Sequence, residues 1–171
     1  MKILVTGGAG RIGAMVVNSL ARKGHNVNVF DLPQADYGSM SKFTSVQIFK
    51  GDITDLNQMK PACEGVDVVL HLAAILPPYS ERNKERTMLV NVEGTANVVE
   101  ALELTSSAPL VISSSVSVYG RTQAEEQAIS VDHPLSPTDL YSQSKIMAEE
   151  AVRGSGLLHT ILRISGVYAA E

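Results

Sequence analysis

Six short apolar runs divide the chain, and each has the length and composition of a buried β-strand. They cover residues 3–5, 26–30, 46–50, 66–72, 110–114 and 160–164. Between several of these runs the apolar residues recur at the three- and four-residue steps of an amphipathic helix. Strands that alternate with helices predict an α/β fold, in which helices cover both faces of a parallel sheet and ligands bind at the carboxyl ends of the strands.

Two of the predicted helices lie in the first third of the chain. The first follows residue 10 and ends near Gly24, which can take a left-handed cap after two cations. The second is short, with Thr54 as its N-cap and a break at Pro61. Residues 32–44 lack a period and predict a loop.

The later helices are longer. One spans roughly residues 85–104, and its predicted apolar stripe is Met88, Val92, Ala96, Val99 and Leu102. We interpret the charge-rich segment 81–86 before it as a solvated helix start. The other helix begins with Ser136 as N-cap, Pro137 in the first position and Asp139 in a capping box, and ends by residue 154 or 156.

The turn between the first strand and the first helix is rich in glycine. Gly8, Gly10 and Gly13 spell G-x-G-x-x-G, while Gly7, Gly10 and Gly13 spell G-x-x-G-x-x-G, and both registers fit. Such glycines allow a tight bend, a close approach to a pyrophosphate and close packing of helix on strand, with the helix N-terminus facing the phosphates. These positions therefore predict a Rossmann-type dinucleotide site.

An acidic residue strengthens this interpretation. Asp31 ends the second predicted strand, 18 residues after Gly13, where a carboxylate suits the ribose 2′-hydroxyl of NAD and repels a 2′-phosphate. The plainer alternative is a strand–turn–helix unit with a surface aspartate, but the context favours the cofactor.

Tyr141 and Lys145 are four residues apart on one predicted helix, so they share a face. A nearby ammonium group favours the phenolate, which is a way to make a tyrosine a general acid–base. By itself the spacing is more typical of a half-buried ring and a solvated amine, but on a nucleotide-binding scaffold it points to catalysis.

Composition narrows the function classes further. The 171 residues carry a net charge of −4, which favours neither nucleic acid nor an anionic membrane. The apolar runs are too short for a membrane span and no signal segment precedes the first strand, so we expect a cytoplasmic protein. Cys63 is the single cysteine, and the scattered histidines suggest no metal site.

Taken in order, these motifs resemble the extended branch of the short-chain dehydrogenase/reductase superfamily, which includes NAD-dependent nucleotide-sugar epimerases and dehydratases such as UDP-glucose 4-epimerase. The matching segments are Gly7-x-x-Gly10-x-x-Gly13, Asp31, Asp52-Ile53, His71-Leu72-Ala73-Ala74, Asn91-Val92-x-Gly94-Thr95, Ser113-Ser114-Ser115 with Val118-Tyr119-Gly120, Tyr141-x-x-x-Lys145 and Leu162-Arg163. The resemblance implies a three-layer Rossmann fold with strand order 3-2-1-4-5-6.

The resemblance also implies the roles of the site residues. Tyr141 is expected to be the catalytic acid–base, and Lys145 to lower its pKa and hold the nicotinamide ribose. Ser115 is expected to bind the reacting oxygen, with Ser117 as a second candidate. The residues expected to contact NAD are Gly7, Gly10, Arg11, Ile12, Gly13, Asp31, Asp52, Ile53, Leu72, Ala73, Ala74, Asn91, Ser113, Tyr141 and Lys145.

The function that the resemblance implies is NAD-dependent chemistry on a hydroxyl group of a sugar or nucleotide-sugar, as in an epimerase, dehydratase or dehydrogenase. The alternatives are a reductase of small ketones or aldehydes and a non-catalytic NAD-binding domain. Residues 1–171 are expected to form the NAD-binding domain without the family's C-terminal substrate domain, and to show little or no turnover alone. A homodimer through helices 85–104 and 137–153 is implied as well, and residues 164–170 depart from the family's pattern.

Overall fold

The computed structural model describes residues 1–121 and 128–167. The strands are Lys2–Thr6 (β1), Asn26–Asp31 (β2), Val46–Lys50 (β3), Val68–His71 (β4), Leu110–Ser115 (β5) and His159–Ile164 (β6). The helices are Arg11–Arg22 (α1), Leu56–Cys63 (α2), Lys84–Met88 (α3), Gly94–Glu103 (α4) and Leu140–Arg153 (α5). A π-helical turn, Leu89–Glu93, joins α3 to α4, and a 3₁₀ turn, Val116–Tyr119, follows β5.

The strands form one sheet of order β3-β2-β1-β4-β5-β6, with every neighbouring pair parallel. The predicted order 3-2-1-4-5-6 is therefore confirmed. β1 lies in the middle, where Thr6 pairs with Phe30 of β2 and with His71 of β4. Because all six strands run the same way, their carboxyl ends share one edge of the sheet, and the segments that follow them meet there.

The core has two parts, one on each face of the sheet. The successive side chains of β1 point to opposite faces. Leu4 belongs to the larger cluster, which includes Met59 of α2, Val98 of α4 and Val152 of α5. Ile3 and Val5 belong to the smaller cluster, with α1 residue Val17. Helices thus cover both faces, as the alternation of strands and helices predicted.

The start of α2 differs from the prediction. Asp55 is the N-cap, and its side chain accepts hydrogen bonds from the backbone N–H groups of Asn57 and Gln58. The predicted cap Thr54 precedes this position, and its hydroxyl donates to Asp52. Pro61 lies inside the helix, which runs on to Cys63. The predicted break at Pro61 is therefore wrong, although the proline contributes no N–H to the helix.

The long helix is present, but its buried face is not the predicted one. Met88 and Val92 are only partly buried and Ala96 is exposed, while Val99 and Leu102 are buried as expected. Polar residues take the buried positions instead, namely Thr87, Asn91 and Thr95. The side chain of each forms a hydrogen bond, so its burial leaves no polar side chain without a partner.

The start of α5 also moves. Asp139 is the N-cap and forms a capping box with Ser142, whereas Ser136 and Pro137 precede the helix. Ser136 is held elsewhere, since its backbone N–H donates to the Val118 carbonyl. The predicted end is confirmed, because Gly154 is the C-cap. Within the described part of the chain, none of the helices has the length and apolarity needed to cross a membrane.

Candidate active site

The glycine turn after β1 is built around two backbone contacts that leave no room for a side chain. Gly7 has a φ of +67°, and a Cβ there would lie 2.7 Å from the backbone nitrogen of Ala73. A Cβ on Gly13 would lie 2.0 Å from the Gly7 carbonyl oxygen. Gly8 packs on the Val29 side chain, while Gly7, Gly10 and Gly13 line the adjacent cavity. Of the two registers, the structure therefore favours Gly7-x-x-Gly10-x-x-Gly13.

A cavity of about 670 Å³ follows the carboxyl edge of the sheet, and segments after all six strands contribute to its wall. Of the residues predicted to contact a cofactor or the substrate, those that line it are Gly7, Gly10, Arg11, Ile12, Gly13, Asp31, Asp52, Ile53, Leu72, Ala73, Ala74, Ser113, Ser115, Tyr141 and Lys145. Its volume and mostly apolar wall are typical of a small-molecule site. Residues far apart in the sequence thus meet at one surface.

Asp31 is fixed at the end of β2 by two backbone groups. Its Oδ2 accepts from the Ala9 N–H at 2.9 Å, and its Oδ1 accepts from the N–H of Leu32 at 2.8 Å. The first bond ties the carboxylate to the glycine turn. A negative charge is therefore held beside the turn in one orientation.

Asp52 lies after β3 and is partnered by a residue that the motif analysis did not single out. Arg86 of α3 donates to Asp52 at 2.9 Å and also lines the cavity. Burial raises the pKa of Asp52, but hydrogen bonds from Thr54 and Arg86 outweigh it and hold the pKa below its usual value. Residues 81–86 are exposed, as predicted for a solvated helix start, and Arg86 in addition forms this ion pair with a partner distant in sequence.

Asn91 is the one predicted cofactor-contacting residue that does not line the cavity. It is 1% exposed, and its side chain accepts from the Ile75 N–H at 2.7 Å and donates to the Ile75 carbonyl at 3.1 Å. Its Nδ2 also donates to the Ser144 hydroxyl at 2.9 Å. Asn91 instead fixes the cavity wall at Ile75 and joins it to α5.

The proposed catalytic residues come together where β5 and α5 meet. Ser115 ends β5, and its Oγ accepts from the backbone N–H and the hydroxyl of Ser117. Tyr141 of α5 lies beside it, close enough for Ser115 to lower the pKa of the phenol. The Lys145 Nζ lies 5.8 Å from the centre of the Tyr141 ring and donates to the Ser113 carbonyl at 2.9 Å. Ser115 lines the cavity and Ser117 does not, which favours the first of the two candidate serines.

The electrostatics of this group differ from the expectation in one respect. Burial raises the pKa of Tyr141, the charge of Asp139 raises it further, and the hydrogen bond with Ser115 lowers it only in part. Lys145 is not among the causes of this shift, so its expected effect on the pKa of Tyr141 stays a prediction. Its ammonium group is turned to the Ser113 carbonyl, and Tyr141 stays a phenol at neutral pH.

Lys145 is itself perturbed. It is 6% exposed, and burial lowers its pKa to about 8 although the charge of Glu149 acts in the opposite direction. At neutral pH most molecules still carry the charge. The same ammonium group and complete burial lower the pKa of His71 to about 3, so that imidazole is neutral and bridges Thr6 and Thr95.

A buried carboxylate behind the serines was also missed from the sequence. Glu149 is 0% exposed, accepts from the Ser114 hydroxyl and is paired with Arg153 and Arg163. Burial raises the pKa of Glu149, but the hydrogen bonds from Arg163, Ser114 and Arg153 lower it overall. Its spacing of four residues after Lys145 was the available signal. The cluster joins α5 to β5 and β6.

A Rossmann sheet with this glycine turn, an aspartate at the end of β2 and a serine, tyrosine and lysine at one edge places the chain in the extended short-chain dehydrogenase/reductase superfamily. A comparison with family models narrows this further. The chain belongs to the 3-beta hydroxysteroid dehydrogenase/isomerase family, whose model matches residues 4–168.

Two curated relatives show the range of the similarity. The human sterol-4-alpha-carboxylate 3-dehydrogenase, decarboxylating, is 33% identical over 170 residues, which cover 96% of this chain and 44% of the relative. The UDP-glucose 4-epimerase of Lactobacillus helveticus is 33% identical over 180 residues, covering 100% of this chain and 53% of the relative. The chain thus spans about half the length of the curated relatives it matches.

A solved structure gives the same fold. A short-chain dehydrogenase/reductase superfamily protein from Agrobacterium tumefaciens, with bound NAD, superposes with a TM-score of 0.80 at 34% identity. The match covers 95% of this chain and 48% of that one. The superfamily predicted from the motifs is confirmed.

Proposed function

We propose that this chain binds NAD along the cavity and acts in the oxidation and reduction of a secondary hydroxyl group at Ser115, Tyr141 and Lys145. The observation that carries the proposal is their meeting at one cavity that also takes in the glycine turn after the central strand β1. The relatives that resemble the chain along nearly its whole length include a sterol dehydrogenase and a UDP-glucose 4-epimerase, and one solved relative contains bound NAD.

The residues at the glycine turn fit a dinucleotide. Gly7 and Gly13 pack directly against backbone, which keeps the turn tight, and the N-terminus of α1 opens onto the cavity beside it. Arg11 lines the cavity at that terminus, which suits a pyrophosphate. Asp31 would accept a hydrogen bond from a ribose 2′-hydroxyl and oppose a 2′-phosphate. NAD is therefore the proposed cofactor rather than NADP.

At the other end, NAD when bound supplies or accepts the hydride. Ser115 would donate a hydrogen bond to the reacting oxygen and fix its distance from Tyr141. Since Tyr141 is protonated at neutral pH, it is set to give its proton to a carbonyl oxygen, which is the direction of reduction. The Lys145 ammonium group would then stabilise the phenolate that is left.

The wall beside the reacting group favours an apolar ring substrate of the steroid or sterol kind. Ile75 and Leu76 follow β4 on one side of Ser115, and Ile164 and Val167 lie at and after the end of β6 on the other. Among the described residues that line the cavity, the cations are Arg11, Arg86 and Lys145. Arg86 is paired with Asp52 and Lys145 is buried, so among the described residues near Ser115 the cavity wall offers no free cation for the diphosphate of a nucleotide-sugar.

A sugar or nucleotide-sugar hydroxyl, which the sequence motifs favoured, remains the second candidate. It is supported by the Lactobacillus helveticus UDP-glucose 4-epimerase, which is as similar in identity as the sterol dehydrogenase. The described residues supply the same serine, tyrosine and lysine to either ring, and the distinction lies in what surrounds them.

Binding is the first test because the chain spans about half the length of its relatives. Calorimetry would measure NADH binding to the chain, and then binding of a 3-ketosteroid, UDP-glucose or a small ketone to the complex. We expect NADH to bind and the 3-ketosteroid to bind more tightly than the other two. Failure to bind NADH would contradict the proposal, and tighter binding of UDP-glucose would favour the second candidate.

A further inference from the structure

The carboxylate of Glu81 contacts the residue proposed to carry the chemistry, although 60 positions separate them in the sequence. Its Oε1 accepts from the Tyr141 backbone N–H at 3.0 Å, and its Oε2 accepts from the Leu140 N–H at 3.1 Å. Glu81 lies between β4 and α3, in the same segment as the cavity-lining residues Ile75 and Leu76. The contact therefore joins a wall of the cavity to the start of α5.

These two N–H groups need an acceptor from outside their helix. The first amides of an α-helix have no partner within it, and a local N-cap satisfies only one or two of them. Here the local cap, Asp139, accepts from Ser142. Leu140 and Tyr141 would be left to solvent, and Glu81 supplies the acceptor, with its negative charge at the positive end of the helix dipole.

The position of Glu81 is itself fixed from the opposite side. The hydroxyl of Ser80, which is 0% exposed, donates to the Glu81 Oε1 at 2.9 Å. The Ser80 carbonyl in turn accepts from the hydroxyl of buried Thr87 on α3 at 2.9 Å. An exposed carboxylate with no such support would lose rotamer entropy on making the contact. With this support, the Glu81 side chain is held in one orientation although it lies at the surface.

The carbonyl of Tyr141 is held as well. It accepts from the Ser144 hydroxyl at 2.7 Å, and Ser144 accepts from Asn91, whose side chain also binds the backbone of Ile75. The backbone N–H and the backbone carbonyl of Tyr141 are thus both connected, through side chains, to the segment that begins at Ile75. Side-chain contact with Ser115 then depends on where this backbone is placed.

We propose that Glu81 is a positioning residue, which fixes the backbone of Tyr141 so that its phenol meets Ser115 at the cavity. The inference rests on the proposed function of Tyr141. It assigns to Glu81 a role that its place in a charge-rich, exposed segment does not suggest. The contact requires a side chain as long as that of glutamate and an acceptor oxygen. Glu81→Asp and Glu81→Gln therefore distinguish this role from an effect of charge alone.

The test compares Glu81→Asp, Glu81→Gln and Glu81→Ala with the control Glu100→Gln, an exposed glutamate on α4. Asp keeps the charge but is one methylene, about 1.5 Å, shorter and cannot span the gap. Gln keeps the length and one acceptor oxygen but loses the charge. Hydrogen exchange of the Tyr141 amide reports the contact, with the Ser142 amide, bound to Asp139, as an internal control.

A second readout follows the phenol without requiring turnover. In protein labelled with ¹³C at the tyrosine ring carbon that bears the hydroxyl, the Tyr141 signal is identified by its loss in Tyr141→Phe. We expect Asp and Ala to speed Tyr141 amide exchange by about 10-fold and to move this signal, and Gln to stay close to wild type. Where the wild type turns over, kcat should fall about 10-fold in Glu81→Asp, with KM and NAD affinity within about twofold.

Unchanged amide exchange and an unmoved Tyr141 signal in Glu81→Asp would overturn the inference, as would a wild-type kcat in that variant. Equal effects of Asp and Gln would also overturn it, since charge or general destabilisation would then explain the result. Because these 171 residues are expected to show little or no turnover alone, the exchange and NMR measurements decide the role of Glu81, and failure of the wild type to bind NADH is the result that would count against the proposed function.

Discussion

Gly13→Ala is the sharpest test of the glycine turn, because the atoms that the added methyl group would meet belong to the backbone and cannot rotate away. A Cβ at Gly13 would lie 2.0 Å from the Gly7 carbonyl oxygen and 2.7 Å from the Gly8 Cα. An ordinary contact is roughly 3.4 Å, so the turn and α1 would have to separate by about 1.4 Å. Overpacking of this kind costs about 3 kcal/mol at the upper end of the usual range.

Part of that cost is offset by propensity. Alanine is favoured over glycine within a helix by about 1 kcal/mol, so the net destabilisation should be about 2 kcal/mol. For a chain of this size the melting temperature should fall by about 4–8 °C. The displaced turn would also change the shape of the cavity at the N-terminus of α1. NAD affinity should therefore fall by at least about 10-fold, equivalent to 1.4 kcal/mol.

Urea unfolding and calorimetry measure the two effects, and Gly156→Ala is the matched control. A Cβ at Gly156 meets no atom within 4 Å, so this variant should match the wild type in stability and in NAD binding. The reasoning is refuted if Gly13→Ala is as stable as Gly156→Ala and binds NAD equally well.

Three further predictions concern the two ends of the cavity. Asp31→Asn keeps the shape of the side chain but removes its charge, so the affinity for NADP relative to NAD should rise by about 10-fold in calorimetric titrations; an unchanged ratio would show that Asp31 does not face the 2′ position. Tyr141→Phe should bind NAD as the wild type does but lose about 10²–10⁴-fold in rate in any form that turns over, and full turnover would remove Tyr141 from the mechanism. An NMR titration of Lys145 should show a midpoint at about 8 rather than the usual 10.5. Between these two pH values the unfolded chain binds a proton that the folded chain has lost, so this group should make folding more favourable as pH rises, and the effect should vanish in Lys145→Met.

The motifs that could be found from the sequence are those in which a characteristic residue type stands at the end of a strand. Strand ends can be located from apolar runs, and a parallel sheet brings all of them to one edge. Asp31, Asp52 and Ser115 could therefore be placed at a common site without knowledge of any contact. The order of the strands and the superfamily followed from the same set.

The failures have a common physical cause, which is a polar group satisfied by a partner distant in sequence. The stripe predicted for the long helix assumed that polar residues face solvent, but Thr87, Asn91 and Thr95 are buried with hydrogen bonds. Arg86 and Glu81 are exposed as expected, but their contacts with Asp52 and Tyr141, 34 and 60 positions away, could not be predicted. Period and composition carry no information about such pairs.

Local competition explains the misplaced helix starts. Thr54 and Ser136 are both good N-cap residues, but an aspartate further along the chain is the N-cap in each case. Asp55 caps α2 and Asp139 caps α5. Thr54 is already engaged with Asp52, and Ser136 is held against Val118. The choice among adjacent capping residues depends on these tertiary contacts.

A crystal structure of the chain with NAD would show whether the cavity is the cofactor site. We expect the pyrophosphate to lie over the Gly7–Gly13 turn, the adenine ribose to contact Asp31, and the nicotinamide ribose to lie at Tyr141 and Lys145. Density for NAD with the nicotinamide remote from Tyr141, or no NAD at saturating concentration, would contradict this expectation.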